Sequence, residues 1–166
     1  MKKQITIHYE AFSSFSELSE TERLMIEKAS VICKKAYSPY SSFNVGATLL
    51  LSNGEFVLGS NQENVAYPSG ICAERVALFF AGSNFSNESI ETIVIVSKGE
   101  LLKMDQILSP CGACRQVLIE SEFRQKRPIR VILTSQDGRV VVFSSVVDLL
   151  PFAFGKWNDS KCNFDY

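Results

Sequence analysis

Ile71-Cys72-Ala73-Glu74-Arg75 and Ser109-Pro110-Cys111-Gly112-Ala113-Cys114 are the two stretches around which this chain is organised. Each stands at the front of a run that reads as a helix, so the fold has to bring two helix ends together. Cys111 and Cys114 are three residues apart and share a helical face. Ser109 followed by Pro110 reads as a helix start, a side-chain cap and then a first-turn proline with no N–H to leave unpaired. Thiols at a helix N-terminus feel its positive end, which favours thiolate, the form that binds zinc. Cys72 opens its helix in the same way. Three thiolates fill three corners of a tetrahedron and leave the fourth for water, as a catalytic zinc site requires. Zinc brings the pKa of such a water to roughly 7. Glu74 shares the first turn with Cys72 and can face that water without being a ligand. Three thiolates on one Zn²⁺ leave net negative charge, and Arg75 is placed to offset it.

Each residue also has a plainer reading. Pro-Cys-x-x-Cys alone suits structural zinc or a redox pair as well as a catalytic centre. A structural site wants four protein ligands. Only Cys33, Cys162 or His8 could supply the fourth, and none has ligand-like spacing. Glu74 alone could be a first-turn acid serving the helix dipole. On a helix as apolar as this one, the Arg75 charge needs a partner.

Cys72-Ala73-Glu74 followed by Pro110-Cys111-x-x-Cys114 resembles the three-cysteine form of the zinc deaminase signature. The wider text, Asn61 to Pro68 with Cys72 to Arg75 and then Ser109 to Leu118, is similar to the cytidine deaminases that act on free nucleosides. The resemblance runs from about residue 22 to about residue 154. It implies a three-layer α/β/α cytidine-deaminase-like sandwich with a mixed five-stranded sheet. It also implies one Zn²⁺ per subunit on Cys72, Cys111 and Cys114, with Glu74 carrying protons. Phe43, in Tyr40-Ser41-Ser42-Phe43-Asn44-Val45-Gly46, matches a phenylalanine that stacks on the pyrimidine. Asn61 and Glu63 match a pair that hydrogen-bonds the ribose 3′-hydroxyl, and the Ala73 N–H matches one that holds the base carbonyl. Phe154, in Leu149-Leu150-Pro151-Phe152-Ala153-Phe154, matches a phenylalanine that reaches a neighbouring subunit's site. Hydrolysis of cytidine and 2′-deoxycytidine to the uridine products and ammonia, in a homotetramer, is what this implies. A deaminase of an aminopyrimidine antibiotic nucleoside, a nucleic-acid editing deaminase and a non-catalytic zinc-stabilised module are the rival readings.

Composition limits the choice. At 166 residues, 46% hydrophobic and 21% charged, the chain reads as one ordinary globular domain. Residues 1–18 would be an N-terminal extension and 155–166 a C-terminal tail. A net charge of −1 and the lack of a basic stripe argue against nucleic acid as a partner. No apolar run approaches membrane-spanning length, and Met1-Lys2-Lys3 does not open a signal peptide. Five cysteines in that setting point to a reducing cytoplasm, with metal or free thiols rather than disulfides. The one histidine, His8, leaves acid–base work to carboxylates.

The periodicities fill in the frame. Residues 4–9 alternate and read as a short strand outside the resemblance. Ser19 and Glu22 make a capping box for a helix bearing Met25, Ala29, Ile32, Cys33 and Ala36 on one face, ending before Ser38-Pro39. Val45–Leu51 and Phe56–Ser60 read as a hairpin about Asn53-Gly54. Helix 72–81 is apolar nearly all round, so it is expected to be buried, and Gly82 to end it. Ile90–Ser97 reads as a central parallel strand. Helix 111–123 leads to strand Ile129–Thr134. Asp137-Gly138 is too short a connection for a crossover, so the last strand, Val140–Phe143, should be antiparallel.

Overall fold

A computed structural model describes residues 1–155 of the chain. Trp157, Cys162, Phe164 and Tyr166 of the expected tail lie outside the described residues. The strands are β1 (Glu10–Phe12), β2 (Asn44–Leu51), β3 (Phe56–Ser60), β4 (Ile90–Lys98), β5 (Arg130–Thr134) and β6 (Val140–Phe143). The helices are α1 (Glu20–Cys33), α2 (Ala73–Asn84) and α3 (Gly112–Gln125). One sheet runs in the order β1-β6-β5-β4-β2-β3. Among the strands of the described residues only β4 and β5 pair in parallel, across the α3 crossover, and β6 returns antiparallel to β5 as the short Asp137-Gly138 turn requires.

The alternation of β4 fixes the layers. Ile93 and Ile95 enter a core with Ala77, Leu78, Leu118 and Ile119, on the face covered by α2 and α3. Val94 and Val96 enter a second core with Met25, Ile26 and Ala29 of α1. A strand buried on both faces needs apolar residues at consecutive positions, which Ile-Val-Ile-Val supplies. The α1 start is the expected capping box: Glu22 N–H donates to Ser19 Oγ at 3.3 Å, and Ser19 N–H donates to Glu22 Oε2 at 3.0 Å. At the far end of α3, buried Glu122 accepts from Ile129 N–H and Val146 N–H, both at 2.8 Å. That carboxylate ties the helix to β5 and to the 3₁₀ turn Val146–Leu149.

Four expectations need correction. Residues 4–9 form no strand; the first strand is Glu10–Phe12, paired with β6. Ile5 and Ile7 stay exposed, so their alternation has no core to face. With β1 the sheet has six strands, not five. Gly82 does not end α2, which runs to Asn84; the Asn84 amide then donates to Phe80 O and Phe85 N–H to Ala81 O. Nor is α2 buried all round, because Phe79 and Phe80 are 52% and 53% exposed in the single chain.

The contact that places α2 is backbone on backbone. A Cβ on Gly59 would stand 2.3 Å from Ala73 O and 2.7 Å from Ala77 N, so β3 meets the first turns of α2 where no side chain fits. Gly59→Val is expected to cost at least about 1–3 kcal/mol by overpacking. The readout is a lower urea midpoint with an unchanged m-value. A midpoint equal to wild type would mean that this contact does not set the position of α2.

Candidate active site

Two loops deliver the cysteines. Gln62 and Ile71 exchange a pair of backbone hydrogen bonds, each 2.9 Å, so residues 61–63 lie beside the residue that precedes Cys72. Cys72 is the N-cap of α2 and Cys111 the N-cap of α3. Here Ser109 and Pro110 depart from expectation, since they precede the cap rather than form the helix start. Ser109 Oγ instead accepts from Arg115 Nη2 at 2.7 Å. Arg115 also donates from Nε to Pro110 O and from Nη1 to Leu149 O, both at 2.9 Å. It thereby fastens the approach to Cys111 and the start of the C-terminal segment to one helix.

The three sulfurs lie within 4.8 Å of one another. Cys72 Sγ and Cys111 Sγ are 3.9 Å apart, and Cys111 Sγ and Cys114 Sγ 3.5 Å. Zinc–sulfur bonds of about 2.3 Å at tetrahedral angles put sulfurs about 3.8 Å apart, so the donor set fits zinc as it stands. Cys114 is buried, Cys72 half-buried and Cys111 exposed. The hydrogen bond with Cys114 lowers the pKa of the Cys72 thiol, and Arg75 lowers it further against the opposing effect of burial. The Arg75 Nη2 is 3.9 Å from Cys72 Sγ, and its Nε is buried without a hydrogen-bond partner among the described residues. A cation so placed faces a site of net negative charge.

Glu74 is 4% exposed. Burial raises its carboxyl pKa above the ordinary carboxylate range, and the Cys72 charge raises it further. Ala73, the first residue of α2, is fully buried, and a first-turn N–H has no intrahelical acceptor. Phe43, just before β2, is 6% exposed. Its N–H donates to Ser41 Oγ at 3.1 Å and its carbonyl accepts from Asn61 Nδ2 at 3.0 Å. Asn61 Oδ1 accepts from Val45 N–H at 2.7 Å. Glu63 Oε2 accepts from Tyr40 N–H at 2.9 Å and Ser41 N–H at 3.3 Å, while Oε1 accepts from Ser41 Oγ. The Ser41 hydroxyl and these amides hold the Glu63 pKa below its ordinary value. Phe154 is 88% exposed, but its backbone is held at both ends by Gln116: Phe154 N–H donates to Oε1 at 3.2 Å and Nε2 donates to Phe154 O at 2.8 Å.

Residues 19–127 match the family model for the cytidine and deoxycytidylate deaminase zinc-binding region. The chain belongs to that family. It is 39% identical over 137 residues to the cytidine deaminase of Sporosarcina psychrophila, covering 82% of this chain and 93% of the relative. It is 36% identical over 132 residues to that of Halalkalibacterium halodurans, covering 80% and 92%. The crystal structure of cytidine deaminase from Burkholderia pseudomallei superimposes with a TM-score of 0.69 at 38% identity, over 82% of this chain and 100% of the other. The α/β fold is therefore the family's fold, and the chain is a hydrolytic deaminase with zinc as its cofactor. The cluster able to hold that metal is Cys72, Cys111 and Cys114. Among the described residues no helix is long and apolar enough to cross a membrane.

Sequence reasoning passed over Ser41, Arg115 and Gln116. Arg115 and Gln116 follow the second motif directly, yet each also reaches a partner 34 or 38 residues further on. Spacing alone gave no signal for them.

Proposed function

We propose that the chain deaminates cytidine and 2′-deoxycytidine to uridine and 2′-deoxyuridine, consuming water and releasing ammonia. The observation that carries this reading is a buried carboxylate, Glu74, two residues from one member of a three-sulfur cluster. Cys72, Cys111 and Cys114 hold zinc, which when bound supplies the Lewis acidity that makes water a nucleophile near neutral pH. Glu74 accepts the proton of the water that attacks C4. It returns that proton to N3 of the ring, then takes the remaining proton from the C4 hydroxyl and carries it to the amine, which leaves as ammonia as the C4 carbonyl forms. Burial shifts its pKa upward, the direction that makes a carboxylate a better proton acceptor. Arg75 moderates the charge of the sulfur cluster. The Ala73 N–H holds the base carbonyl and Phe43 packs on the pyrimidine.

Hydrogen-bond capacity supports Asn61 and Glu63 as readers of one hydroxyl. The Asn61 amide has two N–H donors and one is used on Phe43 O. Glu63 has about four acceptor positions, and three are taken by Tyr40 and Ser41. One donor and one acceptor are left, which is the complement of a single sugar hydroxyl.

The same reading takes the chain as one domain, with 1–18 as an extension and 155–166 as a tail. It has a homotetramer complete each site through Phe154 of a neighbouring copy. Exposed Phe79, Phe80, Phe152 and Phe154 support self-association, since a lone chain gains nothing from such a display. Unpaired cysteines among the described residues support a reducing cytoplasm, where the reaction would serve pyrimidine salvage.

The test is ammonia release by zinc-loaded protein from cytidine, 2′-deoxycytidine, 3′-deoxycytidine and a single-stranded oligonucleotide. Cytidine and 2′-deoxycytidine should both turn over. Loss of the 3′-hydroxyl should lower kcat/KM by about 10- to 100-fold, the worth of a hydrogen bond to a charged group. No turnover of either nucleoside, or faster turnover of the oligonucleotide, would reject the reading.

A further inference from the structure

We propose that Gln136, in the turn between β5 and β6, is a positioning residue for Phe43, acting through Gly99. Gly99 follows β4 and opens the connection that ends at Pro110 and Cys111. Its φ is +143°, a conformation that L side chains rarely adopt. A Cβ there would stand 2.6 Å from Ser42 O, 3.0 Å from Phe43 Cδ2 and 3.1 Å from Phe43 Cα. Ser42 itself has a φ of +53°. Two uncommon backbone shapes thus meet back to back against Phe43; the Ser42 backbone is strained, and Gly99, free of a Cβ, keeps its shape only where its surroundings impose it.

Gln136 supplies that imposition at Gly99. Its Oε1 accepts from Gly99 N–H at 3.1 Å, and its Nε2 donates to Gly99 O at 2.8 Å and to Leu102 O at 3.3 Å. One side-chain amide therefore pairs both backbone groups of the residue whose bare Cα supports Phe43. On the other side, Ser41 and Asn61 hold the Phe43 backbone. Phe43 is fixed from two directions, and only the Gln136 side comes from the far half of the sheet.

The metal end of the same connection is held separately. Asp137 N–H donates to Met104 O at 2.9 Å and Leu108 N–H to Thr134 O at 3.3 Å, both through main-chain groups. Removing the Gln136 side chain leaves those bonds in place. The effect of the change therefore falls on Phe43 and not on Cys111.

The inference about substrate rests on the role given to Phe43 above, while the positioning itself does not. The experiment uses Gln136→Ala and Gln136→Glu, which keeps the shape but has no donor for the two carbonyls, with Gly99→Ala as a change from the opposite partner. Zinc content, kcat and KM for cytidine, and amide hydrogen exchange of residues 40–45 are measured on each. In the Gln136 variants zinc should stay at the wild-type level, kcat should hold, and KM should rise about 3- to 10-fold, the worth of one or two neutral hydrogen bonds; Gly99→Ala, whose Cβ would meet Ser42 O at 2.6 Å, should raise KM at least as much. Exchange at Phe43 and Val45 should quicken while the rest of β2 is unchanged. Wild-type KM and wild-type exchange in variants of lowered Tm would overturn the proposal in favour of a purely structural Gln136. Loss of zinc would overturn it in favour of support for Cys111. If the wild-type protein leaves cytidine untouched, the substrate reading fails by itself and the exchange of residues 40–45 decides the positioning.

Discussion

Glu74→Gln is expected to bind zinc as the wild type does and to lose turnover of cytidine by at least about 10³-fold. A single positioned proton carrier contributes roughly 10²–10⁴ in rate. Glu74 is asked to serve more than one transfer in each cycle, so the expected loss lies in the upper part of that range. Two features favour a carrier over a passive first-turn acid. It is 4% exposed, whereas an acid serving only the helix dipole has no reason to leave water. Burial raises its pKa, and the neighbouring Cys72 charge adds to that, which is the environment of a working acid–base group rather than of a solvated one. Glutamine keeps the volume and the polar tip without a carboxyl that can take up and release a proton. A fall in activity with unchanged metal and unchanged Tm then reports chemistry and not collapse. Metal analysis with an ammonia assay checks it, and a variant as active as wild type would remove Glu74 from the mechanism.

What could be read from the sequence was local. Ser19 with Glu22, the Asn53-Gly54 hairpin, the Asp137-Gly138 return and the two cysteine motifs each carry their signal within a few residues, and the structure has the first three, and the grouping of Cys72 with Cys111 and Cys114, where they were expected. What could not be read depended on distant partners. β1 exists because Glu10–Phe12 meet Val140–Val142, and no alternation marks them, while Ile5 and Ile7 alternate with nothing to pack on. Gly82 looks like a helix stop by type, yet α2 continues because its packing against the sheet and α3 outweighs one glycine's cost of about 1 kcal/mol. Ser109-Pro110 has the composition of a helix start, but the Arg115 side chain claims Ser109 and Cys111 becomes the cap. In the same way, Gln136 carries no motif, and its importance follows only from where β5 ends relative to Gly99.

Cys114→Ala and Cys111→Ala are expected to lose zinc and much of the chain's stability together. Altering a residue that merely supports a ligand weakens metal binding by about 10–100-fold, so removing a ligand should cost more than that. Zinc bound only by the folded chain adds to folding free energy. At a hundredfold excess over its dissociation constant it contributes about 2.7 kcal/mol, or roughly 5–10 °C in Tm for a chain of this size. A strong chelator should therefore lower the wild-type Tm by about that much, or more if affinity is higher, and leave both variants where they were. The two variants should differ in one respect. Cys114 is fully buried and packed at the start of α3, whereas Cys111 is exposed. Cys114→Ala leaves a gap in the core as well as an open metal site, and it should melt below Cys111→Ala even when both are metal-free. A chelator that leaves the wild-type Tm unmoved, with zinc confirmed absent, would mean that the sulfurs are held together by the fold alone. The metal would then contribute to the reaction but not to the stability of the site.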